Sequence, residues 1–137
     1  MSNLTSNSNE QPNSTRETGF YWVKTNETWN ITQFYSHENL FYFPGYFDGI
    51  DPKQLQEVDP IRLDKKFEGH KRKTPYNKEQ AELVRQEGYY WVMHDAMWFA
   101  TYYLSSEDEF YFPGQQIGFD ASDLQEIDEQ RIERVNS

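Results

Sequence analysis

The side chains best suited to metal or acid–base chemistry are scattered through this 137-residue chain. Its three histidines are His37, His70 and His94, and no two of them have the His-x-x-x-His spacing of a metal site. Cysteine is absent, which excludes disulfides and thiolate ligands. We therefore expect three surface histidines, no metal site and no cofactor.

Paired carboxylates are the remaining candidates for catalysis. Three acidic positions recur 69 residues further along the chain, as the pairs Asp51/Asp120, Glu57/Glu126 and Asp59/Asp128. Two carboxylates can divide acid and base roles, but acidic residues near turns more commonly cap helices and keep a protein soluble. No Gly-x-Ser-x-Gly elbow or phosphate-binding glycine loop is present. We predict that the protein is not an enzyme.

Aromatic rings carry the strongest chemical signal, because 10 Tyr, 10 Phe and 4 Trp make up 18% of the chain. Consecutive strand residues point to opposite faces, so Tyr21 diverges from Trp22, and Tyr42 from Phe41 and Phe43. Rings outside the core either pack one part of the chain on another or bind a partner, and both alternatives stay open. The candidate aromatic binding residues are Tyr21, Trp22, Trp29, Tyr42, Tyr90, Trp91, Trp98 and Tyr111.

These rings belong to an internal repeat. Gly-Phe-Tyr-Trp-Val at 19–23 returns as Gly-Tyr-Tyr-Trp-Val at 88–92, and Phe-Tyr-Phe-Pro-Gly at 41–45 returns at 110–114. Aligning 19–64 with 88–133 without a gap gives 20 identities in 46 pairs, which indicates an internal duplication. The predicted organisation is a disordered tail (1–18), a first copy (19–64), a basic connector (65–87) and a second copy (88–134).

The patterning within each copy predicts an antiparallel β-meander. Aromatic and β-branched runs of strand length are found at 20–24, 29–35 and 41–43, and again at 89–93, 98–104 and 110–112. Each Pro-Gly ends the third strand, and we expect a short helical turn and a short final strand to follow. The connector favours a helix near 75–86, with Thr74 as its N-cap and Pro75 at its first position.

The predicted fold is therefore mainly β, with a minor α connector. Two tandem β-meander modules, each SH3-like or a small barrel, are expected to pack as a pseudo-twofold pair. A sheet of three or four strands in 46 residues is marginal alone, and pairing would bury more of the aromatic faces.

Charge is unevenly distributed along the chain. The formal net charge of −10 argues against direct binding to nucleic acid, which requires clustered cations. Residues 88–134 hold 10 acidic residues against 2 arginines, whereas the connector is basic. The candidate acidic binding residues are Glu107, Asp108, Glu109, Asp120, Asp123, Glu126 and Asp128.

The text Gly-Tyr-Tyr-Trp-Val, then Trp, then Phe-Tyr-Phe-Pro-Gly resembles short modules found in bacteriophage and prophage proteins. The resemblance covers both copies but neither the tail nor the connector. It implies a small accessory phage-type protein, a class in which inhibitors of host defence are common. It carries no residue-by-residue activity over to this chain.

Three functional hypotheses follow. The first is a non-enzymatic acidic protein that engages a basic host protein by mimicking the charge of nucleic acid. The second is a binder of a small ligand, carbohydrate or peptide that uses duplicated aromatic platforms, and the third is a structural or virion component. We expect a monomer or small homo-oligomer. The chain lacks a run of about 18 apolar residues and a secretory signal, so we expect a cytoplasmic protein without membrane contact.

Overall fold

The computed structural model describes residues 16–65 and 85–134. These residues form two four-stranded antiparallel sheets, with strand orders β3-β2-β1-β4 and β7-β6-β5-β8. The strands are β1 (Gly19–Thr25), β2 (Thr28–Tyr35), β3 (Leu40–Tyr42), β4 (Glu57–Val58), β5 (Gly88–His94), β6 (Met97–Leu104), β7 (Glu109–Tyr111) and β8 (Glu126–Ile127). We call residues 19–64 module 1 and residues 88–134 module 2.

The prediction of a mainly β protein is confirmed. A single 3₁₀ turn precedes the last strand of each module, at Pro52–Gln54 and at Ala121–Asp123, as expected from the sequence. The described part of the chain has no helix long and apolar enough to cross a membrane. The predicted helix near 75–86 lies outside the described residues except for 85–86, which are not helical, and nearly all of the predicted tail lies outside them too.

Neither sheet closes into the predicted SH3-like or small barrel in the described residues. The outer edge of β3 is covered instead by the chain that follows the Pro-Gly turn. Phe41 and Ile50 exchange two backbone hydrogen bonds of 2.9 and 2.7 Å, and Phe110 and Phe119 do the same at 2.8 Å each. Because this edge is occupied, β3 cannot pair with β4 to close a barrel.

Two-residue turns set the register of the long hairpins. Asn26 and Glu27 both have positive φ, as do Asp95 and Ala96, which is the geometry of a type I′ turn. A glutamine side chain holds each turn, since Gln125 Oε1 accepts from the Ala96 backbone N–H at 2.6 Å. The register set by these turns determines which side chains of β1 and β5 point to each face of their sheet.

One face of each sheet forms the core of its own module. In module 1 the buried cluster is Tyr21, Val23, Phe34, Phe41, Leu55 and Val58. Fully buried Thr32 donates to the Tyr21 carbonyl at 3.1 Å, and Thr101 donates to the Tyr90 carbonyl at 3.0 Å. Each threonine hydroxyl therefore has a hydrogen-bond acceptor although it lies in an aromatic core.

The opposite faces pack the two sheets against each other. Phe20 meets Trp91 edge-on with ring centroids 5.5 Å apart, and Tyr89 meets Trp22 edge-on at 5.6 Å. These contacts belong to a third buried cluster, whose core is Phe20, Trp22, Ile31, Trp91 and Ala100. Positions 69 residues apart thus make matching contacts across the interface.

The Pro-Gly segments also make reciprocal contacts. Gly45 N–H donates to the Phe112 carbonyl at 3.3 Å, and Gly114 N–H donates to the Phe43 carbonyl at 3.2 Å. The φ angle of Gly114 is +83°, and a Cβ there would lie 3.3 Å from the Tyr42 ring. Both the left-handed backbone and this close approach favour glycine.

Two cations fasten the interface at its margins. Lys65 Nζ lies 2.9 Å from Asp128 and 4.9 Å from the centre of the Trp98 ring. Arg134 lies 3.1 Å from Asp59, and its guanidinium carbon is 3.5 Å from the centre of the Trp29 ring. A cation at or just after the end of each module therefore reaches a carboxylate of the other module.

Burial of Tyr89 in this interface predicts a loss of stability at high pH. Its hydroxyl donates to Asn30 Oδ1 at 3.1 Å, and burial raises the pKa of Tyr89 to about 12. An unfolded tyrosine titrates near pH 10, so this contribution is complete below about pH 10 and is lost towards about pH 12. We expect a Tyr89→Phe variant to lose less stability than the wild type over this interval, measured by urea denaturation. Met97→Ala, on an exposed strand position, is the control, and equal losses in wild type and Tyr89→Phe would contradict the prediction.

Candidate functional site

Four of the eight predicted aromatic binding residues are buried and cannot form a binding platform. Tyr21 and Tyr90 lie in the module cores at 3% exposure, and their hydroxyls donate to the carbonyls of Glu17 and Gln86. Trp22 and Trp91 fill the interface between the sheets. For these four, packing of the chain on itself is the observed role.

The other four are half-buried at the margins of the same interface. Cations of the opposite side cover Trp29 and Trp98. Tyr42 and Tyr111 lie against the glycines of the opposite Pro-Gly segments, and their hydroxyls donate to Glu38 and Glu107. The sequence repeat therefore does not place two equal ring platforms on the exposed surface.

Part of the predicted acidic set does come together, at one end of module 2. We call Glu87, Glu107, Asp108 and Glu109 the acidic turn. Tyr103 donates to Asp108 at 2.6 Å, Tyr111 donates to Glu107, and the Tyr111 hydroxyl is 3.3 Å from Glu109. Sequence reasoning missed Glu87, which accepts from the Tyr102 hydroxyl at 2.6 Å and from the Ser105 N–H at 3.0 Å. Tyrosine hydroxyls thus hold the carboxylates in fixed positions.

The pKa values reflect these bonds. The hydrogen bond to Glu107 raises the pKa of Tyr111 to about 12. Burial, followed by the bond to Asp108, raises the pKa of Tyr103 to about 12. The bond from Tyr102 lowers the pKa of Glu87. The tyrosines are therefore protonated donors, and Glu87 is ionised, at neutral pH.

The remaining acidic candidates lie elsewhere and are engaged in the fold. Asp123 accepts from the Asp120 N–H at 3.2 Å in the 3₁₀ turn. Asp128 is bound by Lys65, and Glu126 is half-buried in β8. The seven predicted residues therefore do not form one continuous acidic surface.

Module 1 contains an open cleft that the sequence did not reveal. Its volume is about 650 Å³. Tyr46 and Phe47, both about two-thirds exposed, stand among its lining residues. The lining consists of Thr25, Asn30, Phe43, Tyr46, Phe47, Asp48, Ile50, Gln54 and, from module 2, Gln116.

Larger side chains occupy the corresponding space in module 2. Three lining residues are replaced at the positions 69 residues further on, as the pairs Thr25/His94, Asn30/Phe99 and Ile50/Phe119. The centroid of the His94 ring is 5.6 Å from that of Phe112 and 5.2 Å from that of Phe119, and the Phe99 centroid is 5.2 Å from that of Phe112. Phe112 is 3% exposed, whereas its counterpart Phe43 is only partly buried. The difference in side-chain size between aligned positions is the sequence signal that could have revealed the cleft.

The chemistry available in the cleft is hydrogen bonding and ring contact. Among the described residues that line it, Asp48 is the one carboxylate, and none is Lys, Arg or His. In the part of the chain that the structure describes, no group of three His, Cys, Asp or Glu side chains could hold a metal ion. Acid–base catalysis by paired groups therefore has no counterpart among the lining residues.

Comparison of the chain with family models, with curated proteins and with solved structures finds no match. The resemblance to bacteriophage modules therefore stays a prediction.

Proposed function

We propose that the protein is a non-enzymatic binding protein and that the module 1 cleft is its ligand site. The observation that carries this proposal is the contrast between the modules. The same strand framework is filled by three aromatic rings in module 2 and left open by Thr25, Asn30 and Ile50 in module 1. The fold therefore does not require an empty space at this position.

The rings beside the cleft support the same conclusion. Tyr46 and Phe47 are 66% and 67% exposed, and their counterparts are the polar Gln115 and Gln116. Large exposed apolar side chains reduce solubility unless a partner covers them. Ligand sites usually combine aromatic and apolar lining residues with a few polar groups, and the lining of this cleft contains both kinds.

The relation between the modules explains how one site arose. We propose that the modules derive from a duplication and pair about a pseudo-twofold axis. The support is the series of reciprocal contacts, namely Phe20–Trp91 with Tyr89–Trp22, and the exchanged bonds of Gly45 and Gly114. Module 2 then keeps the aromatic rings that fill this space, and in module 1 smaller side chains at the same positions leave the cleft open.

A thermal-shift screen tests the ligand site. We expect members of a mixed library of small molecules and short peptides to raise the Tm of the wild type, but not that of a Tyr46→Ala/Phe47→Ala variant. A ligand at one hundred times its Kd adds about 2.7 kcal/mol of stability, which moves Tm by several degrees. Ile117→Ala, an exposed residue of the module 2 loop outside the lining, is the control. The proposal is rejected if no compound discriminates wild type from the double variant.

A second candidate function is favoured by the acidic turn. Among the described residues, none of its four carboxylates has a Lys or Arg within 4.0 Å, whereas Arg85 and Arg131 bind Glu129 and Glu133. The counterparts of the turn in module 1 contain one carboxylate, Glu38. We propose that these fixed carboxylates engage a basic partner protein by mimicking nucleic-acid phosphates, as in an inhibitor of phage type.

Neutralising the turn tests this second function. We expect Glu107→Gln/Asp108→Asn/Glu109→Gln to retain basic proteins from a host lysate at least about tenfold less than the wild type in about 50 mM salt. Glu27→Gln/Glu57→Gln/Asp64→Asn removes the same charge from module 1 and should change retention less than about twofold. Equal losses in both variants, or retention of no basic or nucleic-acid-binding protein, would remove this candidate.

A further inference from the structure

We infer that the module 1 cleft binds a neutral carbohydrate, one or two pyranose rings in size. This inference rests on the proposed function of the cleft as a ligand site and names the class of ligand. The cleft volume of about 650 Å³ lies within the range of small-molecule sites, about 300–1,000 Å³. A mono- or disaccharide can enter because the cleft is open to solvent.

The charge of the described lining disfavours anionic ligands. Among the described residues, the lining contains Asp48 and no cation, and the whole chain has a net charge of −10. A phosphate, carboxylate or nucleotide would lose hydration without gaining a counter-charge and would be repelled by the field of the protein. A neutral ligand avoids this repulsion, and its hydroxyl groups can still donate to Asp48.

The polar side chains match adjacent hydroxyl groups. Gln116 and Asp48 line the cleft and are exposed, so their donor and acceptor groups are accessible to a ligand. Gln54 uses Oε1 to accept from the Asp51 N–H at 3.2 Å, which leaves its NH₂ group to donate. An amide that donates and accepts side by side, together with a carboxylate that accepts twice, complements neighbouring sugar hydroxyls.

The aromatic rings of the lining supply apolar contact, which its polar side chains cannot provide. Tyr46 and Phe47 offer large accessible surfaces, and Phe43 adds a partly buried ring between the strands and the cleft. The C–H face of a pyranose ring can stack on such a surface while its hydroxyls reach the amides. A purely apolar ligand would leave the amides and Asp48 desolvated and unpaired, at a cost in affinity.

The site needs both modules. Gln116 reaches the cleft from the loop after the module 2 Pro-Gly segment, and that segment is fixed to module 1 by the bond from Gly114 to Phe43. At the position equivalent to Gln116, module 1 carries Phe47. Each loop therefore contributes a different group to the same cleft, an amide from one and a ring from the other.

Isothermal titration with glucose, galactose, N-acetylglucosamine, maltose, cellobiose and lactose tests the inference. At least one sugar is expected to bind with a Kd of about 1 mM or lower. For that sugar, Phe47→Ala and Gln116→Ala should each raise Kd at least about fivefold, and Ile117→Ala should leave it unchanged. Adding a phosphate, as in glucose 6-phosphate against glucose, should weaken binding.

Binding of none of the six sugars, or binding that is unchanged by Phe47→Ala and Gln116→Ala, overturns the inference. Tighter binding of the phosphorylated sugar overturns it too. If the thermal-shift screen finds peptides or other compounds that depend on Tyr46 and Phe47 while no sugar binds, the carbohydrate assignment fails and the proposed ligand site stands. If neither experiment finds a ligand, both are rejected.

Discussion

A Trp91→Ala variant is expected to be less stable than the wild type by about 3–5 kcal/mol, the range for truncating a buried tryptophan. The Trp91 side chain is 9% exposed and meets Phe20 edge-on at the centre of the contact between the two sheets. Its removal leaves a cavity that the rigid strands β1 and β5 cannot close by collapsing. Urea denaturation followed by far-UV circular dichroism measures the loss.

Trp22→Ala is the matched variant, because Trp22 makes the corresponding contact with Tyr89. We expect its loss of stability to equal that of Trp91→Ala within about 1 kcal/mol. The two losses should not add in the double variant, since both rings belong to one cluster. Met97→Ala, at an exposed position in module 2, should cost less than about 0.5 kcal/mol. A loss below about 1 kcal/mol for Trp91→Ala would show that the two sheets do not depend on this contact.

The residues that build each sheet were predictable because local rules determine them. Alternation separates Tyr21 from Trp22, and the structure places the first ring in the module core and the second between the sheets. Pro-Gly ends β3 and β7, and Asp51 caps the 3₁₀ turn that follows in module 1. These features need only neighbouring residues and a period of two.

Some contacts between residues far apart in the chain could not be predicted from such local patterns. Lys65 belongs by sequence to the basic connector, but its ammonium lies 2.9 Å from Asp128. Glu87 has no acidic neighbour in the sequence, yet Tyr102 and Ser105 draw it into the acidic turn. The contact of Lys65 depends on how the two sheets approach each other, and no local pattern encodes that approach. Glu87 meets Tyr102 and Ser105 because β5 pairs with β6, so its place follows from the register of that pairing.

The cleft escaped sequence reasoning for a different reason. Residues that are identical at aligned positions of the two modules report on the fold that the modules share, and they carry no information about a site present in one module alone. The cleft arises at mismatches, where Asn30 stands against Phe99 and Ile50 against Phe119. Between two modules of one fold, a loss of side-chain volume at aligned, partly buried positions indicates a site more directly than the shared rings do.

Filling the cleft should abolish ligand binding without unfolding the protein. Module 2 provides the template, so the variant is Thr25→His/Asn30→Phe/Ile50→Phe combined with Tyr89→Phe. The last change is needed because Tyr89 donates to Asn30, whereas the matching contact of Phe20 with Phe99 is between two apolar rings, 6.5 Å apart. The template rings His94, Phe99 and Phe119 are partly buried, and rings at these positions add apolar contact, so we expect stability within about 1 kcal/mol of the wild type.

Any ligand found by the thermal-shift screen should bind the filled variant at least about one hundredfold more weakly, a loss of about 2.7 kcal/mol in binding free energy. The reason is steric, because the three larger side chains occupy the volume that the ligand would enter. Tyr89→Phe alone is the matched control for the lost bond to Asn30, and it should raise Kd far less than the filled variant does, since Tyr89 itself does not line the cleft. A filled variant that is folded, as judged by its denaturation midpoint, and that still binds at the wild-type Kd would place the ligand elsewhere. If the filled variant does not fold, Tyr46→Ala/Phe47→Ala decides the same question, because both rings are about two-thirds exposed and their removal leaves the core intact.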